Sequence, residues 1–179
     1  MVFFIAAFAL CFFYSYTKRT LRTSTVQALY NGINFTMIVP AGSTPVTLKN
    51  TTKPVGEQQM VQNAYSFENG SVSYLIFAYE YSNHAVKTPE EVSRTTVSHL
   101  FNDGYSATFT DSHLGELSAV ASEVEGTTTK GKAAFVRTRL AVSDDRKHAW
   151  MAIIVGSDRQ SFPKAQADEF MDSIRISSR

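Results

Sequence analysis

Residues 58–82 read QQMVQNAYSFENGSVSYLIFAYEYS. The Asn69-Gly70 pair near the middle is a strong hairpin signal, because both central positions of a type I′ turn need positive φ and these residue types adopt it at least cost. Residues 58–68 and 71–82 are therefore expected as antiparallel neighbours. In the second segment Val72, Tyr74, Ile76 and Ala78 fall on one face, and Leu75, Phe77, Tyr79 and Tyr81 on the other. A strand apolar on both faces is a central strand with cover on both sides. Residues 147–155 repeat the pattern, with Trp150, Ala152 and Ile154 opposed to Ala149, Met151, Ile153 and Val155. Two such strands call for a sheet buried on both faces.

Two helical segments can supply the cover. Thr88-Pro89-Glu90-Glu91 is a helix start: Thr as N-cap, Pro at the first position where its missing N–H costs nothing, and Glu at the third to complete a capping box. Val92, Thr96, Val97, Leu100 and Phe101 recur at helical spacing before Asn102-Asp103-Gly104 closes the helix. Phe162, Ala165, Phe170 and Met171 mark a second helix, with a short terminal strand at 174–176. Further strands are expected at 117–125 and 132–142, joined by polar turns at 126–131 and 143–146. Upstream, Ile33, Phe35 and residues 37–39 form a first strand that ends at Pro40, which cannot donate to a ladder. Residues 41–56, with Pro45 and Pro54, read as a loop holding at most a short strand at 46–48. The order of about four strands, a helix, three strands and a helix predicts an α+β fold. Its expected form is a three-layer α/β/α sandwich around a central, mostly antiparallel sheet.

Composition divides the chain unevenly. The 179 residues carry 17 Lys plus Arg against 16 Asp plus Glu, and one Cys. Three of the basic groups, Lys18, Arg19 and Arg22, lie in residues 1–24, which contain no acid; 14 basic and 16 acidic groups remain for the rest. A near-neutral body gives no electrostatic basis for binding nucleic acid. A single Cys, Cys11, excludes an internal disulfide and any multi-cysteine metal site. Residues 1–17 hold no charge and are strongly apolar, and as a helix they would reach about 26 Å at roughly 1.5 Å per residue, just enough to span a membrane. Tyr14 and Tyr16, then the basic cluster, fit the interfacial belt that follows such a span. A signal peptide cut after Ala7-Phe8-Ala9 would leave too short an apolar region and has no basic segment before it, so an uncleaved anchor is expected. The chain thus divides into an anchor at 1–17, a polar tether at 18–30 and a globular domain at 31–179.

Gly32-Ile33-Asn34-Phe35 ending at Pro40, the Asn-Gly hairpin, the Thr-Pro-Glu-Glu helix, Ala134-Phe135-Val136, Trp150 to Val155, and the closing Glu169-Phe170-Met171-Asp172-Ser173-Ile174-Arg175-Ile176 resemble the PsbP-like α/β/α sandwich superfamily. The resemblance spans most of residues 31–176 and rests on element order and a packing signature. It carries over no catalytic residue. What it implies is a binding or assembly protein without enzymatic activity or cofactor, on the extracytoplasmic side of a membrane. The positive-inside rule applied to Lys18, Arg19 and Arg22 places the body in the cytoplasm instead.

Few residues are candidates for chemistry. Asp144, Asp145 and His148 sit at one hairpin tip and offer two oxygens and a nitrogen to a divalent cation, although Asp is also common in turns for its geometry alone. Arg137 and Arg139 alternate along one strand and share a face. They are candidates for holding an anion or a partner's carboxylate, and equally for salt bridges to acids of the neighbouring strand such as Glu123. His99 borders the apolar stripe of the first helix. Tyr65, Tyr74, Tyr79 and Tyr81 make the sheet rich in tyrosine. No G-x-S-x-G precedes a helix, and residues 126–131 lack the glycine spacing and Lys-Ser/Thr ending of a phosphate loop. The expected protein is a membrane-anchored binding or assembly module with a protein partner. A small-ligand or metal-binding protein is the alternative, ahead of a hydrolase without a motif.

Overall fold

The computed structural model describes residues 24–30, 33–40, 42–47, 51–55, 58–81 and 87–178. The expected anchor at 1–17 lies outside them. Among the described residues no helix is long and apolar enough to cross a membrane. The order is β1 (Ser24–Tyr30), β2 (Ile33–Val39), β3 (Thr44–Thr47), β4 (Thr51–Val55), β5 (Gln58–Asn69), β6 (Val72–Tyr81), α1 (Pro89–Leu100), β7 (Ser106–Leu114), β8 (Leu117–Thr127), β9 (Ala133–Val142), β10 (His148–Gly156), α2 (Lys164–Ser173) and β11 (Arg175–Ser178). The α+β class is as expected.

The large sheet runs β3-β5-β6-β10-β9-β8-β7, with β4 also on β5, and its strands pair antiparallel throughout. The two doubly apolar strands, β6 and β10, are neighbours at its centre, with Ile76 opposite Ala152 and Ala78 opposite Trp150. Their alternation fills two cores. Tyr74, Ile76, Trp150 and Ile154 join Met37, Val39, Phe162, Phe170 and Ile174 beneath α2 and β2. Met151 and Ile153 join Val97, Phe101, Val124, Val136 and Leu140 beneath α1. A helix therefore stands on each face of the sheet. The layer holding α2 also contains a second sheet, β1-β2-β11, which the sequence reading did not include.

The hairpin forms in the expected place with a different turn. Asn69 pairs with Val72, so the two connecting residues are Gly70 and Ser71; Gly70 has φ +61° and Asn69 does not adopt positive φ. Glycine at the first central position suits a type II′ turn rather than type I′. The capping box of α1 is present: Thr88 Oγ1 accepts from the Glu91 N–H at 3.3 Å, and Glu91 Oε2 accepts from the Thr88 N–H at 2.9 Å. The buried positions of α1 are Ser93 and Val97, one turn apart, so Leu100 and His99 turn outward. His99 is exposed and is not the core-edge histidine expected.

Three strands depart from the sequence reading. Residues 24–30, assigned to the tether, form β1, which pairs with β2 along its whole length. Val26, Ala28 and Tyr30 alternate with Thr25 and Gln27, but Leu29 on the polar side shortens the pattern, and the ladder to β2 supplies what the local signal lacks. Residues 51–55, assigned to a loop, form β4 with Pro54 on a strand that, among the described residues, pairs on one side only, where a missing N–H is tolerated. Residues 106–114 form β7, an edge strand with Thr108 and Thr110 exposed on one face, which conceals the apolar period of a buried strand. Gly126 allows β8 to pass Tyr105, the residue before β7: a Cβ there would lie 2.8 Å from the Tyr105 Cβ.

Candidate functional site

Strand β9 carries Phe135, Arg137, Arg139 and Ala141 toward α2, and Val136, Thr138 and Leu140 toward α1. Arg137 and Arg139 do share a face. The ladder sets Glu123 of β8 directly opposite Arg137, and the pair closes at 3.2 Å. From above, Asp168 of α2 accepts from Arg137 Nη1 at 2.7 Å, and Asp172 lies 2.7 Å from Arg139 Nη1. The fit is geometric. Alternate residues of a strand are about 6.7 Å apart and residues four apart on a helix about 6 Å, so two arginines spaced by two meet two aspartates spaced by four.

The cluster extends through Arg159, whose Nη1 and Nε donate to Glu123 at 3.2 Å and to Glu125 at 3.1 Å, with its Cζ 4.4 Å from the centroid of the Phe135 ring. Arg137, Arg139 and Arg159 are thus matched by Glu123, Glu125, Asp168 and Asp172. Sequence reading found Glu123 but missed Asp168, Asp172 and Arg159. The spacing of the two aspartates on α2 was the available signal. Beside the cluster lies a cleft of about 510 Å³, floored by Thr108, Thr110, Ser112 and Ala121 and walled by Glu123, Arg137, Arg139 and Met171. Arg137, with Nε on Glu123 and Nη1 on Asp168, has little left to offer an incoming anion, while the hydroxyl row offers neutral hydrogen bonds.

At the β9–β10 tip the Asp145 carboxylate is used by the turn. Its Oδ1 accepts from Ser143 Oγ at 2.6 Å and from the Lys147 N–H at 2.9 Å, and these bonds hold its pKa below the usual carboxylate value. His148 Nδ1 is 3.8 Å from the same oxygen, and the imidazole stacks on Trp150 with ring centroids 6.0 Å apart. Among the described residues no three His, Cys, Asp or Glu side chains gather as a cation would require. Asp144, Asp145 and His148 therefore share a tip without forming a ligand set. A second carboxylate with a built-in partner set is Asp158, which accepts from Ser161 N–H, Ser161 Oγ and Ser157 Oγ and is lowered to about 2 by those bonds.

The tyrosines divide between the faces. Tyr65 and Tyr74 belong to the core beneath α2, Tyr79 to the core beneath α1, and the Tyr81 side chain lies outside the described residues. Tyr74 is fully buried with no hydrogen-bond partner for its hydroxyl among the described residues; it meets Phe170 edge-on at 5.2 Å, and burial pushes its pKa up to about 12. On the other face of the sheet a groove of about 520 Å³ lies between α1 and β7, lined by Arg94, Thr95, Ser98, Tyr105, Ala107 and Phe109. Arg94 Cζ stands 4.2 Å from the centroid of the Phe109 ring, and Arg94 pairs with Glu90 at 2.8 Å.

No family model and no curated protein sequence matches the chain. Solved structures do resemble it. One is the LpqN protein of Mycobacterium tuberculosis, described as involved in cell envelope biogenesis, with a TM-score of 0.52 over 87% of this chain and 91% of that one, at 13% sequence identity. At that identity the likeness is one of fold alone: the chain shares its overall architecture with LpqN.

Proposed function

We propose that this chain is an envelope-associated, non-enzymatic binding module, held at a membrane by residues 1–17 and engaging a protein partner through its folded body. The observation that carries the proposal is the state of the polar groups in the cleft lined by Arg137 and Arg139. Arg137 and Arg139 are held by Glu123, Asp168 and Asp172, so the charged side chains there serve to fix α2 on the sheet. A catalytic centre needs titratable groups poised and aimed at a reacting atom, and this arrangement favours a scaffold instead. The fold shared with LpqN, a protein of cell envelope biogenesis, supports an envelope setting, and the apolar run of residues 1–17 supports a tether. The PsbP-like resemblance adds support through its element order and its ending. In fractionated cells the full chain should stay with membranes through an alkaline carbonate wash, and a chain lacking residues 1–17 should be released. Release of the full chain would remove the anchor from the proposal.

A small-ligand role has one observation in its favour, the hydroxyl-floored cleft beside β7. A thermal-shift screen with neutral polyols, sugars and divalent metals tests it. A rise in melting temperature abolished by Thr110→Val would support the role, and a flat response would remove it.

A further inference from the structure

The two ends of the large sheet are built differently. One end is closed by β3 and β4, which carry Pro45, Pro54 and Lys53, residues that block or discourage further strand pairing. At the other end β7 runs for nine residues in unbroken register with β8, from Ser106 opposite Glu125 to Leu114 opposite Leu117. It contains no proline, lysine or bulge, and among the described residues no strand pairs with its outer edge. A long edge of this kind presents a row of unpaired N–H and C=O groups. The clefts described above also flank it, one on each face, where the alternating side chains of an added strand would enter.

We propose that β7 pairs with β7 of a second copy of this chain, antiparallel about a two-fold axis at Thr110, joining the two large sheets into one. The sequence of the strand is self-complementary in that register. Thr110 meets the other copy's Thr110 and Thr108 meets Ser112, placing hydroxyl against hydroxyl on the face toward α2. On the face toward α1, Asp111 stands opposite Phe109. Asp111 is the strand's one acidic residue, exposed and in no salt bridge among the described residues. The aromatic ring it meets is the one beneath Arg94. Arg94 gives Nε and Nη2 to Glu90 Oε1, which leaves Nη1 for the incoming carboxylate. The ion pair occurs twice by symmetry. Registers centred on Asp111 would set like charges directly opposite. Proline at the far end of the sheet stops further addition there, so the assembly closes as a dimer and does not grow.

This inference does not depend on the partner-binding proposal, and its test reads self-association alone. The full chain carrying Cys11→Ser and Thr110→Cys is oxidised in its native membranes. Cβ atoms of directly opposed residues in an antiparallel pair lie about 4.5–5.5 Å apart, close enough for a disulfide after small adjustment. The expected result is a disulfide-linked dimer at least tenfold above that of Thr129→Cys, an exposed turn position, in the same background. Arg94→Glu should lower the yield several-fold, and Arg94→Glu with Asp111→Arg should restore it. Crosslinking no greater than at position 129, or crosslinking of position 110 to a different protein, would overturn the dimer. A yield unmoved by Arg94→Glu would overturn the register.

Discussion

Tyr74 buries a phenol hydroxyl in the core beneath α2 with no acceptor or donor around it among the described residues. An unmade hydrogen bond costs desolvation without return, so Tyr74→Phe should stabilise the fold by about 1 kcal/mol in urea unfolding, and a comparable loss would contradict that account. The same burial gives a pH dependence. Because the folded-state pKa is raised from 10.0 to about 12, the protonated phenol is favoured by folding. Its contribution is present below pH 10 and is lost as the pH rises toward 12, so the wild type should lose stability over that window and Tyr74→Phe should lose less. Arg137 makes the complementary case. It touches both Glu123 and Asp168 with its side chain 18% exposed, whereas among the described residues Arg139 pairs with Asp172 alone, which is 66% exposed. Arg137→Met should therefore cost roughly 1–2 kcal/mol and Arg139→Met about half that or less. Equal losses by denaturant titration would show that the second carboxylate contributes nothing.

At the scale of elements, close packing sets the tolerances. Gly126 lets β8 pass Tyr105, and Gly126→Ala would force a Cβ against the Cβ and Cα of Tyr105, which cannot swing aside as a side-chain tip could. The expected cost is about 1–3 kcal/mol, with a matching drop in melting temperature; an unchanged midpoint would mean that the backbone gives way freely. The elements legible from sequence were those with a strong local signal. The box around Thr88 and Glu91 fixed the start of α1, and the two-faced apolarity of β6 and β10 marked each as a central strand, although only the ladder shows that they are neighbours. Elements stabilised mainly by their neighbours were not legible. β1 and β4 gain their order from ladder bonds to β2 and β5, and β7 is an edge whose polar face hides the period. The turn after β5 was misplaced by one residue because Asn-Gly and Gly-Ser satisfy different turn types and only the pairing of Asn69 with Val72 decides between them. The pairing of Arg137 and Arg139 with α2 needed knowledge of which helix crosses β9, which no local pattern contains.

For the whole molecule, the charge division of the sequence maps onto its organisation. The basic flank at Lys18, Arg19 and Arg22 adjoins the apolar run, and among the described residues Arg94, Arg137, Arg139 and Arg159 of the body are taken up in ion pairs. With 14 basic against 16 acidic groups after residue 24, the body has little net charge with which to steer a nucleic acid or an ionic substrate, so recognition should rest on shape, hydroxyl groups and backbone edges. The most direct test is quantitative crosslinking of the full chain in its native membranes, read by mass spectrometry beside a chain lacking residues 1–17. The account predicts that the full chain recovers one partner other than itself in near-stoichiometric amount and that the shortened chain loses it. Repeated recovery of this chain alone, or equal recovery by both forms, would contradict a membrane-held binding module.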